Sequence, residues 1–154
     1  MLDIGCGCGK LTKMLINRCK RKKIKIYLND IHDVVKNLKK YESKNIKILP
    51  GIFQKINFNE KFDYILMYSV LHYVNYPNSF ISKAYRLLKN NGRMLVADIP
   101  NLNKKARFLT SKFGENFEKK VLKNKSFKKY KNFKHFINAN KNTRKDINDD
   151  FLSK

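Results

Sequence analysis

The chain of 154 residues carries 35 Lys or Arg against 12 Asp or Glu, a formal net charge of +23. Its length fits a single domain, and a hydrophobic content of 42% suffices for a modest core. No apolar stretch approaches the roughly 18 residues of a membrane span and no charged-then-apolar leader is present, so we expect a cytoplasmic protein without a membrane span or signal peptide.

The chain begins with a short apolar strand that leads directly into a glycine-rich loop. Gly5, Gly7 and Gly9 are spaced at i, i+2 and i+4, and the apolar residues after them predict that a helix begins at once. A strand, a tight glycine turn and a helix amino terminus together offer backbone amides to the polar groups of a cofactor. The dinucleotide fingerprint has its third glycine one residue later, where this chain has Lys10, so the spacing favours a cofactor other than NAD.

The second predicted strand, residues 24–30, is an apolar run that ends in an acid. Asp30 lies 21 positions after Gly9, where a carboxylate at the tip of the strand can accept both hydrogen bonds of a ribose diol. We therefore expect Asp30 to bind ribose. The alternative is that Asp30 caps or precedes the helix predicted over residues 33–41, although Asp33 is the better candidate for that cap.

Strands and helices continue to alternate through the middle of the chain. The predicted elements are a third strand at residues 46–49, a fourth strand beginning at Phe62, a helix over residues 78–88, a turn at residues 88–92 and a fifth strand at residues 93–98. Apolar residues at i, i+3, i+4 and i+7 predict the helix. The turn contains Asn90-Asn91-Gly92, and Asn tolerates the left-handed conformation that such turns need.

These motifs resemble, in the same order, those of the class I S-adenosylmethionine-dependent methyltransferases. Asp3 followed by G-x-G-x-G resembles the first motif of that family, and Asp30-Ile31-His32 resembles its acidic motif. Residues 62–74 contain F-D, an apolar run and L-H-x-V, which resemble the fourth strand of the family and the segment after it. Residues 88–92 resemble its L-K-P-G-G turn.

The resemblance implies an α/β fold, a Rossmann-like doubly wound sheet whose carboxyl edge binds S-adenosylmethionine. It implies that Asp3 and the loop amides face the methionine part, that Asp30 faces the ribose, and that Gly51-Ile52, where the family usually has Gly-Asp, forms the adenine end. The implied cofactor-binding residues are Asp3, Gly5, Cys6, Gly7, Gly9, Asp30, Ile31, Gly51, Ile52, Met67 and Tyr68.

Methyl transfer requires few catalytic side chains because the sulfonium methyl is already activated, but a hydroxyl acceptor also needs a base. His72 is the first candidate, because it follows the fourth strand at the edge where open α/β folds bind ligands and an imidazole changes charge near neutral pH. The alternative is that His72 only packs or caps there. Asp98, at the end of the fifth strand, is the second candidate.

The three cysteines do not indicate a metal site. Cys6 and Cys8 lie inside the glycine loop and Cys19 lies on the following helix, and the histidines show no metal-ligand spacing with them. Small residues that fill a tight loop are the simpler interpretation. We therefore predict no metal.

Compared with the family pattern, we expect the chain to be shortened at both ends. We predict about five parallel strands without the final antiparallel hairpin and without a leading helix. Residues 1–100 would form the cofactor-binding core, and residues 101–154 a basic, helical or partly disordered tail that corresponds to an incomplete substrate lid. A helix is predicted over residues 104–113, and later apolar positions are spaced mostly by three to five residues, which also indicates helix.

Three functions remain open from the sequence. The first is methyl transfer to a small-molecule acceptor such as a sugar, a lipid or a similar metabolite, because residues 69–72 resemble the members of the family that act on small molecules. The second is an inactive or partner-completed methyltransferase fragment. The third is a basic RNA-binding protein, since residues 101–154 carry 16 Lys or Arg against 5 Asp or Glu, with aromatic residues among the lysines at Phe127, Tyr130, Phe133 and Phe136. A non-specific nucleic acid contact is the weaker expectation, because a uniformly lysine-rich composition gives the same charge. The oligomeric state cannot be read from the sequence.

Overall fold

The computed structural model describes residues 1–99 and 101–121 and the isolated positions 132, 134, 135 and 138. The chain divides into two compact units, Met1–Asp98 and Ile99–Lys154. The aromatic positions of the predicted basic face, Phe127, Tyr130, Phe133 and Phe136, lie outside the described residues. No helix in the described part of the chain is long and apolar enough to cross a membrane.

The first unit is built on one parallel sheet with helices between its strands. The strands are β1 Leu2–Ile4, β2 Ile26–Asp30, β3 Ile46–Pro50, β4 Phe62–Tyr68 and β5 Leu88–Ala97. The α-helices are α1 Lys10–Arg21, α2 His32–Val35 and α3 Pro77–Arg86, with 3₁₀ turns at Lys36–Tyr41, Phe53–Lys55 and Leu71–Tyr73. The strand order is β3-β2-β1-β4-β5 and every pairing is parallel, which confirms the predicted Rossmann-like α/β fold.

The sheet is held by apolar residues that point from the strands to the helices. Helix α1 contributes Ile16 and Cys19, which pack on Ile26, Leu28 and other buried residues of β2 and β3. These two residues lie three positions apart and so share one face of the helix. This packing fixes the start of α1, and with it the loop between β1 and α1, against the centre of the sheet.

Several predicted boundaries differ from the observed ones. The helix predicted over residues 33–41 begins at His32 and tightens into the 3₁₀ turn after Val35. Asp33 is therefore inside the helix and does not cap it; its carboxylate pairs with Lys36 at 3.0 Å on the surface. The helix predicted over residues 78–88 is α3, which starts at Pro77 and ends at Arg86, so that Leu88 already pairs with β4.

The predicted turn before the fifth strand is an irregularity within β5. Leu88 pairs with Phe62 and Arg93 pairs with Tyr64, so three extra residues bulge out of β5. Asn91 has φ +65°, which confirms that an Asn here takes the left-handed conformation that the turn requires. The ion pair between Lys89 and Asp63, at 3.0 Å, lies beside the bulge.

The described residues after β5 are helical. The single helix predicted over residues 104–113 is two helices, α4 Leu102–Leu109 and α5 Lys112–Asn116, followed by a π-helical turn Phe117–Val121. The break arises because Ser111 accepts from the amide of Gly114 at 3.0 Å and so starts a new helix. A Cβ on Gly114 would lie 1.9 Å from the Phe108 carbonyl oxygen, so the two helices meet where only glycine fits.

Candidate functional site

The carboxyl ends of β1 and β4 meet where the strand order reverses. From β1 the chain proceeds outward to β2 and β3 on one side, and β4 and β5 lie on the other. In open α/β sheets the crevice at such a reversal is where ligands bind, because the connections leave the two strands in opposite directions. The glycine loop follows β1 at this point, and the segment from Ser69 to His72 follows β4.

The three glycines of the loop serve different purposes. Gly5 and Gly7 have φ +68° and +62°, a conformation that favours glycine. A Cβ on Gly5 would also lie 2.4 Å from Cγ2 of Val70, so the loop and the segment after β4 approach each other more closely than any other residue would allow. Gly9 has φ −79°, and a Cβ there would project into open space. The fold therefore needs Gly5 and Gly7, whereas Gly9 keeps the space beside the loop free.

The backbone amides of the glycine loop donate hydrogen bonds to the end of β2. Those of Gly5 and Cys6 donate to the Asn29 carbonyl oxygen at 2.8 and 3.0 Å, and that of Gly7 donates to Oδ2 of Asp30 at 2.8 Å. In this structure protein acceptors use the three amides that were predicted to face the methionine part. The open donors are at the start of α1, where Gly9 is the N-cap and no side chain of the described residues caps the helix.

Asp30 lies at the tip of β2, half-buried, next to the glycine loop. Its Oδ2 accepts from Gly7 and its Oδ1 from the amide of Ile31, both at 2.8 Å. It does not cap α2, whose N-cap is Ile31. Each carboxylate oxygen can accept about two hydrogen bonds, so both oxygens retain a free lone pair for a diol. The two amides hold the carboxylate in a fixed orientation.

Asp3 is a buried carboxyl group close to Asp30. Its residue is 4% exposed, and no hydrogen bond or ion pair to its carboxyl occurs within the described residues. Burial raises the pKa of Asp3 to about 7, and the charge of Asp30 adds to this effect. An unpaired buried acid is unusual in a chain with a net charge of +23, in which cations are abundant. A cation placed beside Asp3 would favour the charged form of this carboxyl group.

Two apolar side chains lie beside these carboxylates, at the ends of β2 and β3. Ile31 is 52% exposed and Ile52 is 51% exposed. Gly51, which directly follows β3, has φ +125° and donates its amide to the Asp30 carbonyl oxygen at 2.8 Å. The pairing of Asp30 with Pro50 brings the two strand ends together. A ligand with a polar centre and a flat apolar end would complement this arrangement.

The remaining predicted residues lie on the β4 and β5 side. The side chain of Met67 is fully buried in the core, whereas Tyr68 is 46% exposed. His72 lies in the 3₁₀ turn after β4, with its ring centroid 4.0 Å from that of Tyr73, and its Nδ1 is buried without a hydrogen-bond partner among the described residues. Asp98 directly follows β5 with φ +53°, a strained backbone conformation of the kind that occurs at functional sites.

The cysteines contribute small side chains, of which Cys19 is buried and Cys6 and Cys8 are partly buried. The Sγ atom of Cys6 lies 3.3 Å from the Gly7 carbonyl oxygen, and burial raises the pKa of its thiol far above the ordinary value, so the thiol is inert at neutral pH. Cys19 is part of the core. In the part of the chain that the structure describes, no cluster of three or more His, Cys, Asp or Glu could hold a metal ion.

Sequence reasoning missed Asn29. This residue is 2% exposed, and its carbonyl oxygen receives the two amides of the glycine loop. Its side-chain Nδ2 donates to the carbonyl oxygens of Leu49 and Gly51, both at 2.9 Å. The signal in the sequence is an Asn in the interior of an apolar strand, a position where Asn is rare and where its amide must find partners.

Comparison with known proteins agrees with the fold. Residues 2–96 match the family described as a methyltransferase domain. A malonyl-(acyl-carrier protein) O-methyltransferase of Calditerrivibrio nitroreducens is 33% identical over 95 residues, which cover 60% of this chain and 35% of that protein. The chain aligns with 35% to 54% of the length of the curated relatives that it matches.

Solved structures share the fold at low sequence identity. The N-methyltransferase NodS of Bradyrhizobium japonicum, in complex with S-adenosyl-L-homocysteine, gives a TM-score of 0.52 at 23% identity, over 60% of this chain and 48% of that one. The plantazolicin methyltransferase BamL gives a TM-score of 0.56 at 22% identity, over 75% and 44% of the two chains. The match over residues 2–96 shows that the chain belongs to the methyltransferase domain family, in the S-adenosylmethionine-dependent class that its motifs resemble.

Proposed function

We propose that the chain binds S-adenosylmethionine at the carboxyl edge of the sheet and transfers its methyl group to a small-molecule acceptor. The observation that carries this proposal is the buried, unpaired carboxyl of Asp3 beside Asp30. The cofactor bears an ammonium and a sulfonium, both cations, and its ribose bears a diol. The site offers a carboxylate for positive charge, a second carboxylate with free lone pairs, and two exposed isoleucines for an adenine ring.

The residues of the site divide the recognition of the cofactor among them. Asp3 provides negative charge near the methionine part, and Asp30 accepts from the two ribose hydroxyls while Gly7 and Ile31 hold it in place. The side chain of Ile52 provides apolar contact for the adenine. Gly9 leaves the room through which the cofactor approaches the amides of α1. These contacts bury the exposed fractions of both isoleucines, which favours binding.

S-adenosylmethionine supplies an electrophilic methyl group on a positively charged sulfur. An acceptor that took this methyl group would leave the electron pair of the broken carbon–sulfur bond on sulfur and would release a proton. His72 is our candidate for receiving that proton, because its buried Nδ1 has no partner in the described structure and its turn follows β4 at the crevice. Asp98 is the second candidate.

The methyl acceptor that we propose is a small molecule. One relative is named for a malonyl-(acyl-carrier protein) acceptor and another for plantazolicin, so relatives of this fold take different acceptors. The segment 69–72 supports a small molecule such as a sugar, a lipid or a similar metabolite.

The test is calorimetric titration of the chain with S-adenosyl-L-homocysteine, the product form of the cofactor. Asp30→Asn should weaken binding by about 10- to 100-fold, because a neutral carboxamide with a single acceptor oxygen replaces a carboxylate that accepts charge-assisted hydrogen bonds at both oxygens. Asp33→Asn is the matched control: Asp33 lies three positions away on the surface, paired with Lys36, and its variant should bind as the wild type does. Equal affinities of wild type and Asp30→Asn would refute the assignment of the ribose site, and a wild type that fails to bind would refute the proposal itself.

A further inference from the structure

The position of Asn29 suggests a role beyond packing. We propose that Asn29 is a positioning residue, which locks the adenine-side loop after β3 to the glycine loop and thereby sets the distance between the two ends of the cofactor site. The inference rests on the proposed function. Asn29 does not touch the cofactor in this account, because its backbone carbonyl oxygen and its side-chain Nδ2 both bond to the protein backbone.

The hydrogen bonds of Asn29 join three segments. Its backbone carbonyl oxygen receives the amides of Gly5 and Cys6 at 2.8 and 3.0 Å, which fixes the glycine loop to β2. Its side-chain Nδ2 donates to the carbonyl oxygens of Leu49 and Gly51, each at 2.9 Å, which fixes the end of β3 to the same residue. One residue at the tip of the central part of the sheet therefore holds the loops on both sides of Asp30.

The chemistry at this position requires the amide group of Asn. Two carbonyl oxygens converge on one nitrogen, and an NH₂ group carries two protons, one for each of them. Asn29 is 2% exposed, so water cannot replace these bonds easily. Asp has the same shape as Asn but would place carboxylate oxygens against two carbonyl oxygens. The substitution Asn29→Asp thus removes both donated hydrogen bonds and also places a carboxyl group next to Asp30, so Asn29→Ser, which lacks Nδ2 without adding a charge, is its companion variant.

The loop that Asn29 holds is the one that carries Ile52. The amide of Gly51 donates to the Asp30 carbonyl oxygen at 2.8 Å while its carbonyl oxygen accepts from Asn29, so both backbone groups of Gly51 are tied to β2. On the far side of the loop, Lys83 Nζ donates to three carbonyl oxygens between Phe53 and Ile56. Asn29 and Lys83 thus hold the backbone on the two sides of Ile52, and this fixes where its exposed side chain leaves the loop.

Loss of the Asn29 anchor should reduce affinity by lowering the fraction of molecules whose loop is in place. We expect Asn29→Asp to weaken the binding of adenosine by about tenfold or more, and that of S-adenosyl-L-homocysteine by at least the same factor. The matched control is Asn37→Asp, since Asn37 Nδ2 also lies near two carbonyl oxygens, those of Asp33 and Val34 at 3.3 Å, but on the exposed side of the chain. The control should bind both ligands as the wild type does.

Amide hydrogen exchange, measured without ligand, distinguishes a local effect on the loop after β3 from a general loss of stability. The amide of Gly51 should exchange faster in Asn29→Asp, whereas those of Gly5 and Cys6, which bond to the backbone of residue 29, should keep their protection relative to the rest of the sheet. If Asn29→Asp does not fold, Asn29→Ser replaces it, because Ser also lacks Nδ2 but adds no charge. Unchanged protection of Gly51, or a loss shared equally by all three amides, would overturn the positioning role.

The two readouts separate this inference from the proposed function. A wild type that binds neither ligand would remove the proposed function, and the exchange of Gly51 would still test whether Asn29 anchors the loop. Weaker binding of S-adenosyl-L-homocysteine with unchanged binding of adenosine would overturn the inference and leave the proposed function standing, because the defect would then lie at the methionine end.

Discussion

The buried acid in the site should make the stability of the protein depend on pH, and its replacement by Asn should remove that contribution. Asp3→Asn keeps the shape of the side chain and removes its charge. Asp3 has no ion pair within the described residues, and its pKa is raised from an ordinary value of 3.8 to about 7. The folded protein therefore holds a proton on Asp3 over a pH range in which the unfolded chain has lost it.

The sign follows from proton binding. Between about pH 4 and pH 7 the folded state binds more protons at this residue than the unfolded state, so the free energy of unfolding decreases as the pH rises through this window. Each pH unit within the window is worth about 1.4 kcal/mol. Between about pH 5 and about pH 8, Asp3 should therefore lower the free energy of unfolding of the wild type by about 2 to 3 kcal/mol. Asp3→Asn should lack this decrease.

The assay is urea unfolding of both proteins, followed by circular dichroism, at about pH 5 and about pH 8. All other titrating groups contribute equally to both proteins, so their effect cancels in the difference between the two free energies of unfolding. Relative to the wild type, the free energy of unfolding of Asp3→Asn should be about 2 to 3 kcal/mol more favourable at about pH 8 than at about pH 5. A difference that does not change with pH would refute the reasoning, because it would mean that Asp3 is charged in the folded protein at pH 5 as it is in the unfolded chain.

Two further predictions concern the glycine loop and the bound cofactor. Gly5→Ala should destabilise the fold by about 2 to 5 kcal/mol in thermal or urea unfolding, because the φ of Gly5 is positive and the new Cβ would clash with Val70. Gly9→Ser should change the free energy of unfolding by no more than about 0.5 kcal/mol, since Ser is a good N-cap, but it should weaken the binding of S-adenosyl-L-homocysteine. Equal stabilities of Gly5→Ala and Gly9→Ser would contradict the claim that the fold needs Gly5 whereas Gly9 serves the ligand. Binding of a cationic cofactor should lower the pKa of Asp3, so titrations below pH 7 in buffers of different ionisation enthalpy should show release of a proton, and Asp3→Asn should abolish it.

The sequence predicts the fold well because its signals are local. Glycines before a helix, an acid at the end of an apolar run, and strands that alternate with helices each depend on a few neighbouring residues, and together they indicate the parallel sheet. The position of Asp30 at the tip of β2 follows from the same local pattern. That its carboxylate also bonds to the Gly7 amide, at 2.8 Å, requires knowledge of how β1 and β2 pair.

The sequence is least informative where a non-local contact decides the local structure. The loop amides were expected to face a ligand, but the positive φ of Gly5 and Gly7 directs them to Asn29 and Asp30. Met67 lies on the buried face of β4, whereas Tyr64 and Tyr68 on its other face are exposed, and an almost uniformly apolar run does not show in the sequence which face is buried. Asn29 was missed because its partners, Leu49 and Gly51, are 20 or more residues away and meet it only in the folded sheet.

The most direct test of the central claim is a map of backbone amide chemical shifts during titration with S-adenosyl-L-homocysteine. The account predicts that the largest changes occur at the amides of Gly7, Ile31 and Ile52 and in the first turn of α1, because these lie around the two carboxylates at the carboxyl edge of the sheet. Changes confined to residues 101–121, or no changes at saturating ligand, would contradict a cofactor site at this edge.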